Sequence, residues 1–233
     1  MTLGATANVL TKGRMEVHGR IAGSSNATLL VTCGLDGTER LAVYKPRAGE
    51  RELWDFPPGL HRREVAAWVL SDWLGWGIVP ETVLRYDAPF GEGSVQRVVD
   101  VDGASHYFTV RDDPSRHPEL RRIAAFDVLS NNADRKSGHV LLGEGRLWAI
   151  DHGLTFHADP KLRTVIWDFA GDRLEGADCE AIARLVDEPI PQELRHLLDD
   201  EEADALVGRA RALLSEGRLP PPGPGRPYPW PLV

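Results

Sequence analysis

Apolar residues recur along this chain in two spacings, and the spacing changes about halfway. Residues 27–33 are β-branched and apolar and residues 40–45 alternate, so they predict a strand hairpin turned by Gly34-Leu35-Asp36-Gly37 and closed by Pro46. Val65, Val69 and Trp73 then fall at helical spacing, flanked by Trp68 and Leu70, and predict an amphipathic helix from about residue 61 to 74. Gly75-Trp76-Gly77 breaks it. Residues 78–85 and 94–99 read as further strands around a Gly91–Gly93 turn. The polar, irregular stretch 100–118 predicts a linker. Beyond it Leu120, Ile123, Ala124, Val128 and Leu129 mark a helix that runs directly into Asn131-Asn132-Ala133-Asp134. Residues 140–142 and 147–150 predict a second hairpin around Gly143–Gly145. Residues 165–169 form either a short helix or a substrate-positioning segment, and residues 178–186 and 200–215 are helical. The fold class is α+β, β-rich at first and mostly helical afterwards. It divides into a first lobe 1–99, a second lobe 100–216 and a Pro-rich tail 217–233 that is extended rather than regular.

Charge and composition narrow the partners. A net charge of −8 gives no global basic field, so neither nucleic acid nor an anionic membrane is an expected partner. Two cysteines, Cys33 and Cys179, make no disulfide framework and suggest a reducing compartment. The opening MTLGATANVLTKG lacks a basic segment followed by a long apolar one, and no run has the apolar length of a transmembrane helix. A cytoplasmic protein is expected. The histidines show no zinc-site spacing.

Candidate chemistry concentrates between residues 131 and 156. A hairpin of that length returns to its starting point, so Asp134, before its first strand, and Asp151, after its second, should face one cleft. Two carboxylates held there can divide phosphoryl transfer, one meeting the attacking hydroxyl and the other holding a metal. Upstream, Gly23-Ser24-Ser25-Asn26 is a small polar loop whose backbone N–H groups could take phosphate oxygens. Lys45 ends a strand and needs a fixed acid, which Glu64 in the first turn of the following helix can supply. Each feature has a plain structural alternative: a surface hairpin, a loop, a helix N-terminal charge.

The ordered set Asp134-Arg135, His139-Val140-Leu141-Leu142 and Ile150-Asp151-His152-Gly153 resembles the catalytic and metal loops of the phosphatidylinositol 3- and 4-kinase-like superfamily. It is most similar to a short actinobacterial family of distant lipid-kinase relatives. The resemblance implies a two-lobed atypical kinase-like fold that uses ATP with Mg²⁺ or Mn²⁺. It implies catalytic roles for Asp134 and Arg135 and metal roles for Asp151 and His139. It also implies nucleotide contacts from Gly23, Ser24, Ser25, Asn26, Lys45 and Glu64, with the backbone of Arg97, Val98 and Val99 meeting adenine. The acceptor would be a hydroxyl of a protein, lipid or small metabolite, and the acidic charge argues against a dedicated phosphoinositide enzyme. His139 departs from the family, which has asparagine there. Imidazole suits Mn²⁺ better than hard Mg²⁺, so the metal preference is altered, Asn131 or Asn132 supplies the ligand, or the chain is a pseudokinase scaffold. Nucleotidyl transfer with an inverted ATP is a further option within catalysis. The Pro-rich tail is either a handle for a protein partner or a surface-draped terminus.

Overall fold

Five strands pair antiparallel in the order β1-β2-β3-β5-β4, forming the first lobe. They are β1 (Arg14–Arg20), β2 (Leu29–Leu35), β3 (Thr38–Pro46), β4 (Thr82–Arg85) and β5 (Gly93–Arg97). The computed structural model describes residues 4–24 and 26–233. Val31, Cys33, Ala42, Tyr44 and Val95 form the buried face of the sheet. A helix α1 (Ala5–Lys12) packs on it through Ala7, Val9 and Leu10. Neither α1 nor β1 stands out in the sequence: α1 is only two turns long, and β1 is an edge strand exposed along most of its length.

Helix α2 (Leu60–Trp73) lies where expected but is not amphipathic. Every residue from Leu60 to Ser71 except Arg62 is buried, because the helix passes between the sheet and the second lobe. Its buried charges are therefore paired. Arg63 Nε donates to the Thr155 carbonyl at 2.9 Å and its Nη2 donates to the Glu202 carboxylate. Burying such groups unpaired would cost several kcal/mol each.

The expected linker 100–118 is structured instead. It contains a short helix α3 (Tyr107–Val110), and Tyr107 is fully buried with its hydroxyl donating to Asp168. Tyr107 and Val110, buried within an otherwise polar run, dock the segment, which is why composition misleads there. Helix α4 (His117–Ser130) follows, then the hairpin β6 (Val140–Gly143) and β7 (Arg146–Ala149), and helices α5 (Gly176–Asp187), α6 (Gln192–Arg195) and α7 (Asp200–Glu216). A single hydrophobic cluster runs from Leu10 and Tyr44 through Leu70, Ile123 and Phe126 to Leu206 and so joins both lobes. The Pro-rich tail has no helix but lies along the second lobe. The Pro227 carbonyl accepts from Thr164 N and Trp167 Nε1, each at 3.0 Å, and the Leu232 carbonyl accepts from Ser137 N at 2.8 Å.

Gly93 sets how closely β5 approaches β3 beside Lys45. A Cβ there would meet the Lys45 carbonyl oxygen at 2.5 Å, Tyr44 Cε2 at 2.6 Å and Pro46 Cα at 2.8 Å. Gly93→Ala should therefore lower stability by about 1–3 kcal/mol, the usual cost of overpacking. A thermal midpoint equal to wild type would show that the strands can separate freely.

Candidate functional site

Lys45, near the end of β3, pairs across the sheet with Ser94 and points out of the first lobe. Its Nζ donates to the Glu64 carboxylate of α2 and, at 2.8 Å, to Asp151 Oδ1 just beyond β7. Glu64 Oε2 also accepts the His152 backbone N–H at 2.9 Å. One lysine thus ties the sheet, α2 and the end of the second hairpin together. Burial opposes the charge on Lys45, but Asp151 and Glu64 outweigh it and hold the ammonium above its ordinary range. Lys45 in turn holds the Asp151 carboxyl far below the usual range, against desolvation. Burial pushes Glu64 up, opposed by Lys45. Asp151 adopts φ +58, a left-handed conformation that L residues seldom take, and its side chain remains half exposed.

The loop after α4 is fixed by a buried hub that the sequence motifs do not reveal. Asp127 accepts from Arg135 Nε and Nη2 at 2.9–3.1 Å, from Asn132 Nδ2 at 3.0 Å and from Thr164 Oγ1 at 3.2 Å. Arg135 Nη1 donates to the carbonyls of Ile150 at 2.8 Å and His139 at 3.2 Å, and Nη2 lies 2.7 Å from His152 Nε2. Arg135 is 0% exposed. The expectation that it acts on reactants is therefore corrected: it has no face to a ligand and positions both loops from behind. A lone carboxylate inside the apolar run Ala124-Ala125-Phe126-Asp127-Val128-Leu129 was the available signal for this hub.

Asn131 and Asn132 are likewise excluded as metal ligands. The Asn131 amide donates to the carbonyls of His157 and Asp159 while its Oδ1 accepts from Lys161 N. Asn132 Oδ1 accepts the Asp134 backbone N–H, and its Nδ2 is bonded to Asp127. Both side chains are consumed in shaping the loop.

Asp134 faces outward beside Lys136, whose Nζ lies 3.2 Å from Oδ2. Burial pushes the Asp134 carboxyl up, against the pull of Lys136. His139 Nδ1 lies 3.1 Å from the Asp134 carbonyl, which can only accept, so Nδ1 carries the proton. Nε2 then presents a lone pair 3.4 Å from Asp151 Oδ2. Burial lowers the His139 pKa to about 4, so the ring is neutral near pH 7. A lone pair facing a carboxylate oxygen is repulsive unless a cation lies between them, and the pair therefore fits a divalent ion. Two protein donors suffice where phosphates and water complete the shell. Among the described residues no group of three or more His, Cys, Asp or Glu side chains forms a protein-only metal cage.

The other expected contacts lie as follows. Gly23, Ser24 and Asn26 precede β2, whose first residue Leu29 pairs with Tyr44 beside Lys45, and Gly23 takes φ +82. Ser25 lies outside the described residues. The N–H groups of Arg97 and Val98 are taken by the carbonyls of Glu81 and Leu41, at 2.9 and 3.0 Å. The Arg97 side chain is held by Glu81 and Glu144 and stacks on Trp148 at 4.9 Å. Val99 packs at Gly143, at the opposite end of the hairpin from Asp134 and Asp151.

A pH dependence of stability follows for the metal-free chain. Burial holds the rings of His139 and His152 below the ordinary 6.5, His139 at about 4. The unfolded chain therefore binds more protons as pH falls from 6.5, and stability present above that pH is lost, by about 1.4 kcal/mol per unit for each ring. Urea midpoints at pH 7.5 and 5 should differ less in His139→Asn than in wild type. Equal differences would place His139 in a solvated setting.

A β-sheet lobe, a helix that fixes a lysine–glutamate pair, and a hairpin flanked by two carboxylates together make a kinase-like fold, and solved structures agree. The Golgi casein kinase superposes with a TM-score of 0.59 over 91% of this chain and 74% of its own, at 16% identity. Its structure with Mn/ADP bound gives 0.57 over the same shares. Hydra Fam20 with sugar gives 0.58 over 90% of this chain and 86% of its own, at 13% identity. At such identities the likeness is one of fold. No protein-family model matches the chain. In sequence it is 38% identical to Protein Rv2133c of Mycobacterium tuberculosis (strain ATCC 25618 / H37Rv), covering 96% of this chain and 94% of that protein. The chain belongs to the family of that protein.

Proposed function

We propose that the chain is an ATP-dependent phosphotransferase that moves the γ-phosphoryl group to a hydroxyl. The observation that carries this reading is Lys45 held between Glu64 and Asp151, with Asp134 preceding the first strand of the hairpin whose second strand Asp151 follows. Lys45 would clamp the nucleotide phosphates, with Gly23, Ser24 and Asn26 above them, and Glu64 would keep the ammonium in place. Asp151 and His139 would hold Mg²⁺ or Mn²⁺, which neutralises phosphate charge when bound. The Golgi casein kinase structure with Mn/ADP bound supports a nucleotide–metal site in this fold. Asp134 would orient the acceptor hydroxyl and take its proton, and the raised carboxyl suits that task. Adenine would meet the backbone at Val99 and its neighbouring carbonyls, since the Arg97 and Val98 N–H groups serve the sheet. Catalysis is then mostly positioning and charge neutralisation. The motifs favour the phosphatidylinositol 3- and 4-kinase-like superfamily as the wider relation.

His139 gives the pseudokinase reading its one specific support. Incubation with γ-labelled or α-labelled ATP, in Mg²⁺ or Mn²⁺, separates the options. Transfer of the γ-label supports the kinase, transfer of the α-label supports nucleotidyl transfer, and no transfer despite binding leaves a scaffold. Among the described residues no helix is long and apolar enough to cross a membrane. The two free cysteines fit a reducing, cytoplasmic setting.

A further inference from the structure

Between β3 and α2 the chain makes a short excursion, Arg47 to Arg51, that touches two parts of the site lying on different elements. On one side it grips the small polar loop before β2. Ala27 N–H donates to the Gly49 carbonyl at 3.0 Å, and Arg51 N–H donates to Asn26 Oδ1 at 2.9 Å. A Cβ on Gly49 would lie 2.4 Å from Ala27 Cβ, so only glycine allows this approach. On the other side it grips the start of α2. Glu50 accepts the backbone N–H groups of Gly59, at 3.0 Å, and His61, at 2.7 Å, and meets His61 Nδ1 at 2.5 Å. These N–H groups belong to a helix start with no side-chain cap of its own, so Glu50 supplies the cap from a distance.

His61 is almost fully buried and is bracketed on its far side by Glu92, 3.3 Å from Nε2. Glu92 is tied back to the excursion, since its carbonyl accepts Arg47 N–H at 2.7 Å. Hydrogen bonds from His61 and from the two backbone N–H groups hold the Glu50 carboxyl at about 2 despite desolvation, as expected of a carboxylate that accepts several donors. One turn further along α2 stands Glu64, which carries both Lys45 and the His152 N–H. Asn26 is therefore bonded to Arg51, next to Glu50, and Glu50 to His61, which stands on the same helix α2 as Glu64.

We infer that Glu50 and His61 are positioning residues that couple Asn26, just before β2, to the Lys45–Glu64 pair, so that phosphates seated beside Asn26 set the position of α2. This deepens the kinase reading and rests on it. Neither residue touches the nucleotide. The coupling predicts that the network serves the phosphates and not the base.

The test compares ATP with adenosine, which lacks the phosphates, by calorimetry in the presence of Mn²⁺. Glu50→Gln and Asn26→Ala should each weaken ATP by about tenfold or more, the scale of a hydrogen bond to a charged group, and leave adenosine within about twofold. The double variant should be no weaker than the worse single, because both interrupt one path. Equal losses for ATP and adenosine, or singles that simply add, would overturn the coupling. Asn26 stands outside the packing of α2, so Asn26→Ala keeps the test open if Glu50→Gln folds poorly. Hydrogen exchange of the His152 amide, which is bonded to Glu64, reads the same coupling without nucleotide. It should accelerate in Asn26→Ala, and unchanged protection refutes the coupling. Wild-type chain that binds no ATP would count against the kinase reading alone and leave the exchange result to decide the coupling.

Discussion

Replacing Arg135 by methionine is expected to cost about 3–5 kcal/mol of stability, the penalty for leaving one half of a buried ion pair uncompensated. Asp127 is fully buried, and among the described residues Arg135 supplies its only cationic partner. Asn132 and Thr164 alone would then satisfy the carboxylate. The lost guanidinium would also release the carbonyls of His139 and Ile150, which fix the two loops against each other. Urea unfolding is the measurement. Adding Asp127→Leu to Arg135→Met should recover much of the loss, because the double variant buries no orphan charge. A single-variant loss below about 0.5 kcal/mol, the scale of an ordinary surface substitution, would refute the hub.

The same residues explain what the sequence could and could not disclose. Helix α4 and the β6–β7 hairpin were legible because apolar residues at helical period mark the one, and two short apolar runs around a Gly-rich turn mark the other. The position of α2 was legible too, but not its burial on nearly all sides, since a second layer covers the face that periodicity assigns to solvent. Lys45, Glu64 and Asp151 stood out because their local contexts, a strand end, the early part of a helix and a hairpin end, bring them to one place, and Asp134 lies near enough to feel the Asp151 charge. Arg135 was legible as a motif residue but not in its role, because only the tertiary structure sets Asp127 behind it. Asn131 and Asn132 looked like free ligands for a related reason. An amide that shapes its own loop has the same sequence signature as one that waits for a metal. Tyr107 and the tail were hidden by composition. Polar and Pro-rich runs predict the absence of regular structure correctly but say nothing about docking through a buried phenol or through backbone carbonyls such as those of Pro227 and Leu232.

Asp134→Asn should separate chemistry from binding. The substitution preserves shape, and the backbone N–H of residue 134 keeps its bond to Asn132 Oδ1, so the loop should hold its conformation. It removes the charge that attracts Lys136 and with it the carboxylate proposed to take the acceptor's proton. Lys45, Glu64 and Asp151 are untouched, so ATP affinity measured by calorimetry should stay within about twofold, inside the usual margin for a substitution that leaves the binding contacts in place. Turnover should fall by roughly 10²–10⁴, the contribution of a positioned general base. Loss of kcat without loss of nucleotide binding marks an interaction made only in the transition state. If turnover survives with whichever acceptor proves active, Asp134 is a turn residue and the proton leaves by another route. If ATP affinity falls together with turnover, Asp134 belongs to the nucleotide's metal shell alongside Asp151, and the division of labour between the two carboxylates is wrong.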